Sequence, residues 1–559
     1  MEKISQKKLY IIIGIIVIAA FFRLANIDSE EVMSDEGNYA LRGIGWNDFM
    51  QSSTFTTPWN WYMEKPALPL WTQLSFNDHP PLHFANIWLS SHIFGVHLWS
   101  VRLPSVIYAI ASILLVILVL AKMGFERGAI FAGIFMAVLP WHIFISRRAI
   151  QEPMVIFFFL LSCYWLLKMD EKENTIMRWA ALGIILGLGV LTKYSFVVIF
   201  PVLLFFIIKN AWYKKNNFYV ACVAFLVVTL PVLIYNAFLF NDRGHLDLQL
   251  SRFLKMDTSA DWRASVQGIW QGSASSILTY FKNHFFWISP GISMIIIAGL
   301  ILGLKKIKEN FKAFFMSYGM ILFTGIFASL TLGDFGRSSI IIPFVAMAFG
   351  IGAENFLSKK KNAYAYILHL SIILIVAGSL MDRFAVTQFP KQIFSTFYEK
   401  PAGYDSWERW KNKNFTISLK PTHFISLKDW MKHTNNLIKE TDAPIIVYDQ
   451  RFIWFGANWY FYKDTFYSDN TPIIHSGLAD GFIVNNDIKG REVYFIEAGK
   501  STMDAKPNFD PGSLIIYNKI RALAEKQNIE PIILRNNENT EAFIVWKAIW
   551  DNAGDIAKK

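Results

Sequence analysis

Apolar runs recur through residues 9–381 of this 559-residue chain, and the connections on one side of them are short and basic. That pattern is restrictive. A run that crosses a hydrocarbon layer ~30 Å thick must satisfy its backbone internally, and a series of such runs does so as packed helices. We place eleven spans near 9–22, 103–121, 128–145, 153–167, 179–192, 195–208, 217–240, 286–304, 313–332, 338–357 and 362–381. Composition agrees with this: charged residues make up 17% and mean hydropathy is +0.32, whereas a soluble domain carries roughly 25% charge. The expected class is a polytopic α-helical membrane protein.

The charges between the runs set a direction. With a cytoplasmic N-terminus, eighteen Lys and Arg fall in the cytoplasmic connections, against four in the short outer ones (Arg147, Arg148, Lys193 and Arg337). This is the positive-inside bias, and it puts the C-terminus outside the cell membrane. It also accounts for the net charge of +11 without a nucleic-acid partner. The first run follows Lys3, Lys7 and Lys8 as a signal peptide would, yet no small-x-small cleavage pattern comes after it. It reads as a retained span, with Arg23 snorkelling to the interface. Cys163 and Cys222 both sit in apolar runs, so neither a disulfide framework nor a cysteine metal site is expected.

Two long outer connections remain. Residues 24–102 are too polar to span and carry amphipathic pieces suited to the membrane surface, and 241–285 is a second mixed loop. Beyond 382 the composition turns soluble. Short β-like runs at 444–448, 493–496, 532–534 and 543–546 interleave with helix-like stretches at 426–440 and 513–528. The expected organisation is a membrane domain over 1–382 and an extracytoplasmic α/β domain over 383–559.

Several residues carry chemistry. Just beyond the first span stand Ser34-Asp35-Glu36-Gly37-Asn38-Tyr39-Ala40. Adjacent acids at an interface are ordinarily just solvated, but a carboxylate there is also able to take a proton from a hydroxyl. Asp78-His79-Pro80-Pro81-Leu82-His83-Phe84 follows, then Trp99-Ser100-Val101-Arg102-Leu103-Pro104-Ser105. The plain reading of the prolines is a rigid turn into a surface helix, and that of Arg102 an interfacial anchor. Arg102, Arg147, Arg148, Lys193 and Arg337 all fall at outer span ends, where the charge rule disfavours them. Phosphate binding is one reason for cations there. An ion pair is another, since Arg148 and Glu152 are four apart, and Lys193 also suits a structural anchor. No glycine-rich strand-to-helix turn of a nucleotide-binding half is present.

Taken in order, Asp-Glu-Gly-Asn-Tyr-Ala, His-Pro-Pro-Leu and Phe94-Gly95-Val96…Trp-Ser-Val-Arg-Leu-Pro-Ser resemble the GT-C membrane glycosyltransferases. The likeness is to the protein O-mannosyltransferases and the bacterial aminoarabinose and lipopolysaccharide-sugar transferases. Ser146-Arg147-Arg148-Ala149 running to Glu152, Leu191-Thr192-Lys193, and Gly336-Arg337 continue the likeness over roughly residues 10–360. The resemblance implies transfer of a sugar from a polyprenyl-phosphate donor to a hydroxyl of a protein, lipid or glycan, with inversion. It implies Asp35 as the base, with Glu36 orienting the acceptor, holding a metal or raising the Asp35 pKa. It further implies His79, Arg102, Arg147, Arg148, Glu152, Lys193 and Arg337 as substrate-binding residues. No resident cofactor is implied, and related enzymes differ over a divalent metal. Some members have lysine at His79 and tyrosines at His83-Phe84, departures that bear on the donor sugar. An oligosaccharyltransferase or polysaccharide ligase is the alternative within the class. A transporter is the alternative outside it, although the half-repeats and mid-membrane charges expected of one are absent from the sequence.

Overall fold

A computed structural model describes residues 6–25, 27–28, 34–44, 69–75, 79–171, 175–257, 301, 310–330, 339–359, 444–449, 473–475, 488–499, 511–535, 539 and 541–551. The chain divides into two units. One comprises Met1–Ser29, Arg42–Ser53 and Leu68–Ile417; the other comprises Glu30–Leu41, Thr54–Ala67 and Ser418–Lys559.

The first unit is helical: α1 (Gln6–Leu24), α2 (Ser34–Gly43, shared with the second unit), α3 (Leu82–Phe94), α4 (Leu98–Lys122), α5 (Glu126–Val138), α6 (Pro140–Ser146), α7 (Glu152–Glu171) and α8 (Ile176–Thr192). It continues with α9 (Phe200–Lys209), α10 (Asn216–Arg243), α11 (Leu248–Leu254), α12 (Phe311–Phe314), α13 (Met320–Leu330) and α14 (Ile342–Lys359). Among the described residues, Leu98–Lys122, Glu152–Asp170 and Asn216–Arg243 are long and apolar enough to cross a membrane. Shorter apolar helices cover Ile176–Thr192, Tyr194–Lys209, Phe311–Phe327 and Ser339–Asn355. Only 22% of the apolar window of α10 is buried, and Val223, Leu226, Val227, Leu230 and Leu233 are exposed along it. A broad uncovered apolar face of this kind suits lipid contact. The expected spans 286–304 and 362–381 (Ile301 excepted) and the helical stretch 426–440 lie outside the described residues.

Two expectations need correction. The single span expected over 128–145 is two helices, α5 and α6, because Pro140 lacks the N–H that would continue the ladder to Met136. Arg23 does not snorkel; it is fully buried at that break. Its Nη2 donates to the Met136 carbonyl at 3.1 Å and its Nη1 to the Ala137 carbonyl at 3.0 Å. Nη2 also bonds His142 Nδ1 at 2.8 Å, and Nε meets Ser146 Oγ at 3.3 Å. The carbonyls at the end of α5 thus find their donor in a cation, as an interrupted buried helix requires.

Close helix packing rests on glycine. A Cβ at Gly183 would come within 2.2 Å of the Ala221 carbonyl oxygen and one at Gly187 within 2.8 Å of Val228, which locks α8 to α10. Gly128 and Gly350 do the same for α5 and α14, where each Cβ would meet the other's carbonyl oxygen at about 2.5 Å.

In the second unit a five-stranded mixed sheet runs in the order β2-β1-β3-β5-β4, from β1 (Ile445–Tyr448), β2 (Ile473–His475), β3 (Glu492–Ala498), β4 (Ile532–Arg535) and β5 (Glu541–Ile549). β1 pairs in parallel with β2 and β3, while β5 pairs antiparallel with β3 and β4. The helix α15 (Pro511–Lys526) covers one face, with Ile516, Ile520 and Leu523 packing on Val447, Val493, Phe495 and Ala548. Four strands coincide with the expected β runs. The three-residue β2 was not anticipated.

Candidate active site

Most of the predicted site residues gather at one end of the helical unit, where α7 begins and α8 finishes. α7 and α8 form an antiparallel pair, so Glu152 and Lys193 meet across 41 positions of sequence: Lys193 Nζ donates to Glu152 Oε1 at 2.6 Å. Both side chains are largely buried, at 16% and 10% exposure. The partner of Glu152 is thus Lys193, not the arginine one turn earlier. The Arg148 guanidinium lies 4.6 Å from the centre of the Phe144 ring.

Lys193 is held by its flanks. Its extended backbone ends α8 and opens a 3-10 turn over Tyr194–Ile199. Phe196 in that turn sits so close to Gly189 that a Cβ there would be 2.4 Å from the ring. The Tyr194 hydroxyl donates to Asp247 Oδ2 at 2.6 Å, and Asn236 Nδ2 donates to the same oxygen at 2.9 Å. Asp247 Oδ1 accepts from the N–H groups of Gln249 and Leu250, capping α11. This wholly buried carboxylate braces the lysine turn against α10. Sequence reasoning missed it, because a lone aspartate in a loop carries no distinguishing signal.

His83 belongs to the same cluster. The Pro80-Pro81 turn starts α3 and delivers the ring, fully buried, against the Ala149 backbone with Glu152, His79 and Lys193 nearby. Burial pulls its pKa from 6.5 down to about 4, opposed by the Ala149 backbone and the Glu152 charge, so the ring is neutral at physiological pH. His79 is half-buried, and its carbonyl accepts from Ser75 Oγ at 2.9 Å. The departure from the tyrosine pattern at position 83 was the available sign that this residue is special.

The arginines divide. Arg147 is fully buried, and its Nη1 faces the carbonyls of Phe22, Arg23 and Ala25 at 3.2, 3.1 and 2.7 Å. That geometry ties down the end of α1, a role expected of a cation at a helix C-terminus. Arg102, also buried, donates from Nη1 to the Ile27 carbonyl at 2.6 Å. Glu36 is 1% exposed within α2. The Asp35 side chain and Arg337 lie outside the described residues. Among the described residues no group of three or more His, Cys, Asp or Glu is set to hold a metal ion.

Two likenesses bear on the fold and the site. Residues 78–235 match the family model described as dolichyl-phosphate-mannose-protein mannosyltransferase. The whole chain also aligns with the crystal structure of ArnT from Cupriavidus metallidurans bound to undecaprenyl phosphate, covering 100% of both chains with a TM-score of 0.55 and 12% identity. The chain therefore shares its overall fold with that ArnT structure. Among the relatives that match in sequence are two bacterial proteins. One is YkcB of Bacillus subtilis, whose name alone gives it mannosyl transfer, at 32% identity over 28% of this chain and 21% of the relative. The other is undecaprenyl phosphate-alpha-4-amino-4-deoxy-L-arabinose arabinosyl transferase 2 of Proteus mirabilis, at 27% identity over 28% of this chain and 26% of the relative. The matched stretch spans well under half of either relative.

Proposed function

We propose that the chain is a glycosyltransferase that moves a sugar from a polyprenyl-phosphate donor to a hydroxyl acceptor at the outer face of the cell membrane. The observation that carries this reading is a coincidence of position. The family-matched stretch 78–235 holds the entire polar cluster of His79, His83, Glu152 and Lys193, together with Arg102, Arg147 and Arg148.

The chemistry follows from the charges. As the bond from the anomeric carbon to the phosphate oxygen breaks, negative charge grows on the departing phosphate, and fixed cations stabilise it. Lys193 holds that role, oriented by Glu152, with Arg102, Arg148 and Arg337 in support. Arg147 is assigned to the end of α1 instead. Asp35 takes the proton of the acceptor hydroxyl as it attacks opposite the leaving group, and Glu36 orients that acceptor. One-step displacement inverts the anomeric configuration. Residues 1–382 form the membrane domain, with the N-terminus cytoplasmic. Residues 383–559 form an extracytoplasmic domain that contributes to acceptor choice.

The test is chemical. Purified protein incubated with a labelled polyprenyl-phosphate sugar is expected to release free polyprenyl phosphate. A protein that binds this lipid and never cleaves the sugar–phosphate bond would contradict the reading and favour a carrier.

A further inference from the structure

Gln151 is 0% exposed, and among the described residues neither its amide nitrogen nor its amide oxygen has a hydrogen-bond partner. The backbone carbonyl of the same residue is engaged. It accepts from the N–H groups of Met154 and Val155, both at 3.1 Å, which starts α7. A short polar side chain at this position ordinarily accepts from the first helical N–H groups. Here Pro153 has no N–H, and that of Met154 is already taken by the Gln151 carbonyl. The carboxamide therefore has no local role, and an unmet buried amide is destabilising wherever it occurs.

Its neighbours on both sides are committed to the candidate site. The Ile150 carbonyl accepts from Ser105 Oγ at 3.0 Å, Ala149 lies against His83, and Glu152 bonds Lys193 at 2.6 Å. We infer that Gln151 is a sugar-recognition residue, whose carboxamide bonds a hydroxyl of the transferred sugar. The inference rests on the donor proposed above. Donor and acceptor chemistry selects the sugar over the phosphate. A phosphate offers acceptors only, which cations match, whereas a hydroxyl both donates and accepts, as a primary amide does. The three side-chain torsions of glutamine give the group reach from its buried seat. A site built to bond a hydroxyl discriminates strongly against a ligand that lacks it, because its own polar atoms are then left unmet.

The test uses the full-length protein in detergent with two probes, undecaprenyl phosphate and undecaprenyl-phosphate mannose. Gln151→Met keeps the size and removes the amide. We expect an unchanged or raised Tm, unchanged affinity for undecaprenyl phosphate, and affinity for the mannosyl lipid lowered about tenfold or more. If both lipids bind the variant as they bind wild type, the amide meets only a buried water and the inference fails. A lowered Tm with both affinities reduced together assigns Gln151 a structural role and also overturns it. A ligand-side measurement needs no mutation: in a series of single deoxy-mannose lipids, one hydroxyl deletion should cost wild-type affinity a similar factor, and a series with no such position counts against the inference. Wild type that binds neither lipid overturns the functional reading itself, and this inference with it.

Discussion

Lys193 and Glu152 stabilise each other in a setting where neither is comfortable alone. Removing one partner of a buried pair strands the other charge, at a cost of about 3–5 kcal/mol, while removing both is far milder. Lys193→Met should therefore lower the Tm clearly, and the double variant Lys193→Met with Glu152→Met should regain most of it. Donor binding should stay lost in both, which separates the phosphate role from the structural one; recovery of donor binding in the double variant would refute it. His83 gives a pH dependence of known sign. Its folded-state pKa of about 4 lies below the ordinary 6.5, so below pH 6.5 the unfolded chain takes up a proton that the folded chain refuses. The stability present above pH 6.5 is lost as pH falls toward 4, by on the order of 3 kcal/mol. Melting curves between pH 7.5 and 4.5 should show a smaller fall for His83→Phe than for wild type. At this scale the sequence revealed which cations were out of place, but not what each one touches. Arg147 and Lys193 break the same charge rule, yet one meets backbone carbonyls and the other a carboxylate. Gln151, being neutral, gave no signal.

Elements determine whether these side chains arrive. The turn carrying Lys193 folds back only because Gly189 leaves room for the Phe196 ring, 2.4 Å from where a Cβ would sit. Gly189→Ala should push that turn away, costing about 1–3 kcal/mol by overpacking and weakening donor binding although Lys193 is untouched. Adding Phe196→Leu should restore part of both, as read by Tm and donor affinity. Periodicity and hydropathy located most of the helices well, including α4, α7, α8 and α10, since each is a long apolar run. They failed where the backbone departs from regular geometry. Pro140 splits α5 from α6, and Phe315–Gly319 forms a π-helical turn within a run that reads as continuous. Four strands were legible as β-branched runs, while Ile473–His475 is too short to stand out from its surroundings.

Across the whole helical unit, polar residues collect at two ends. One holds Glu152, Lys193 and His83. At the other, Asp170 accepts from Lys209 at 2.8 Å and from Lys312. Lys209 and Lys312 come from two connections that the charge bias assigns to one side, and they meet on one carboxylate. Their meeting agrees with the shared side that lysine spacing assigned them, whereas the cluster that unites residues 79, 83, 152 and 193 needed three dimensions. The reaction proposed for this cluster breaks the bond between a sugar and a lipid phosphate. The most direct measurement follows turnover of a labelled polyprenyl-phosphate sugar by wild type and by Asp35→Asn, with donor binding measured on both. The account predicts release of polyprenyl phosphate by wild type, and a variant that binds the donor equally well but turns over about 10²–10⁴ times more slowly. A folded, donor-binding wild type that releases none, or an Asp35→Asn variant with the wild-type rate, would contradict it.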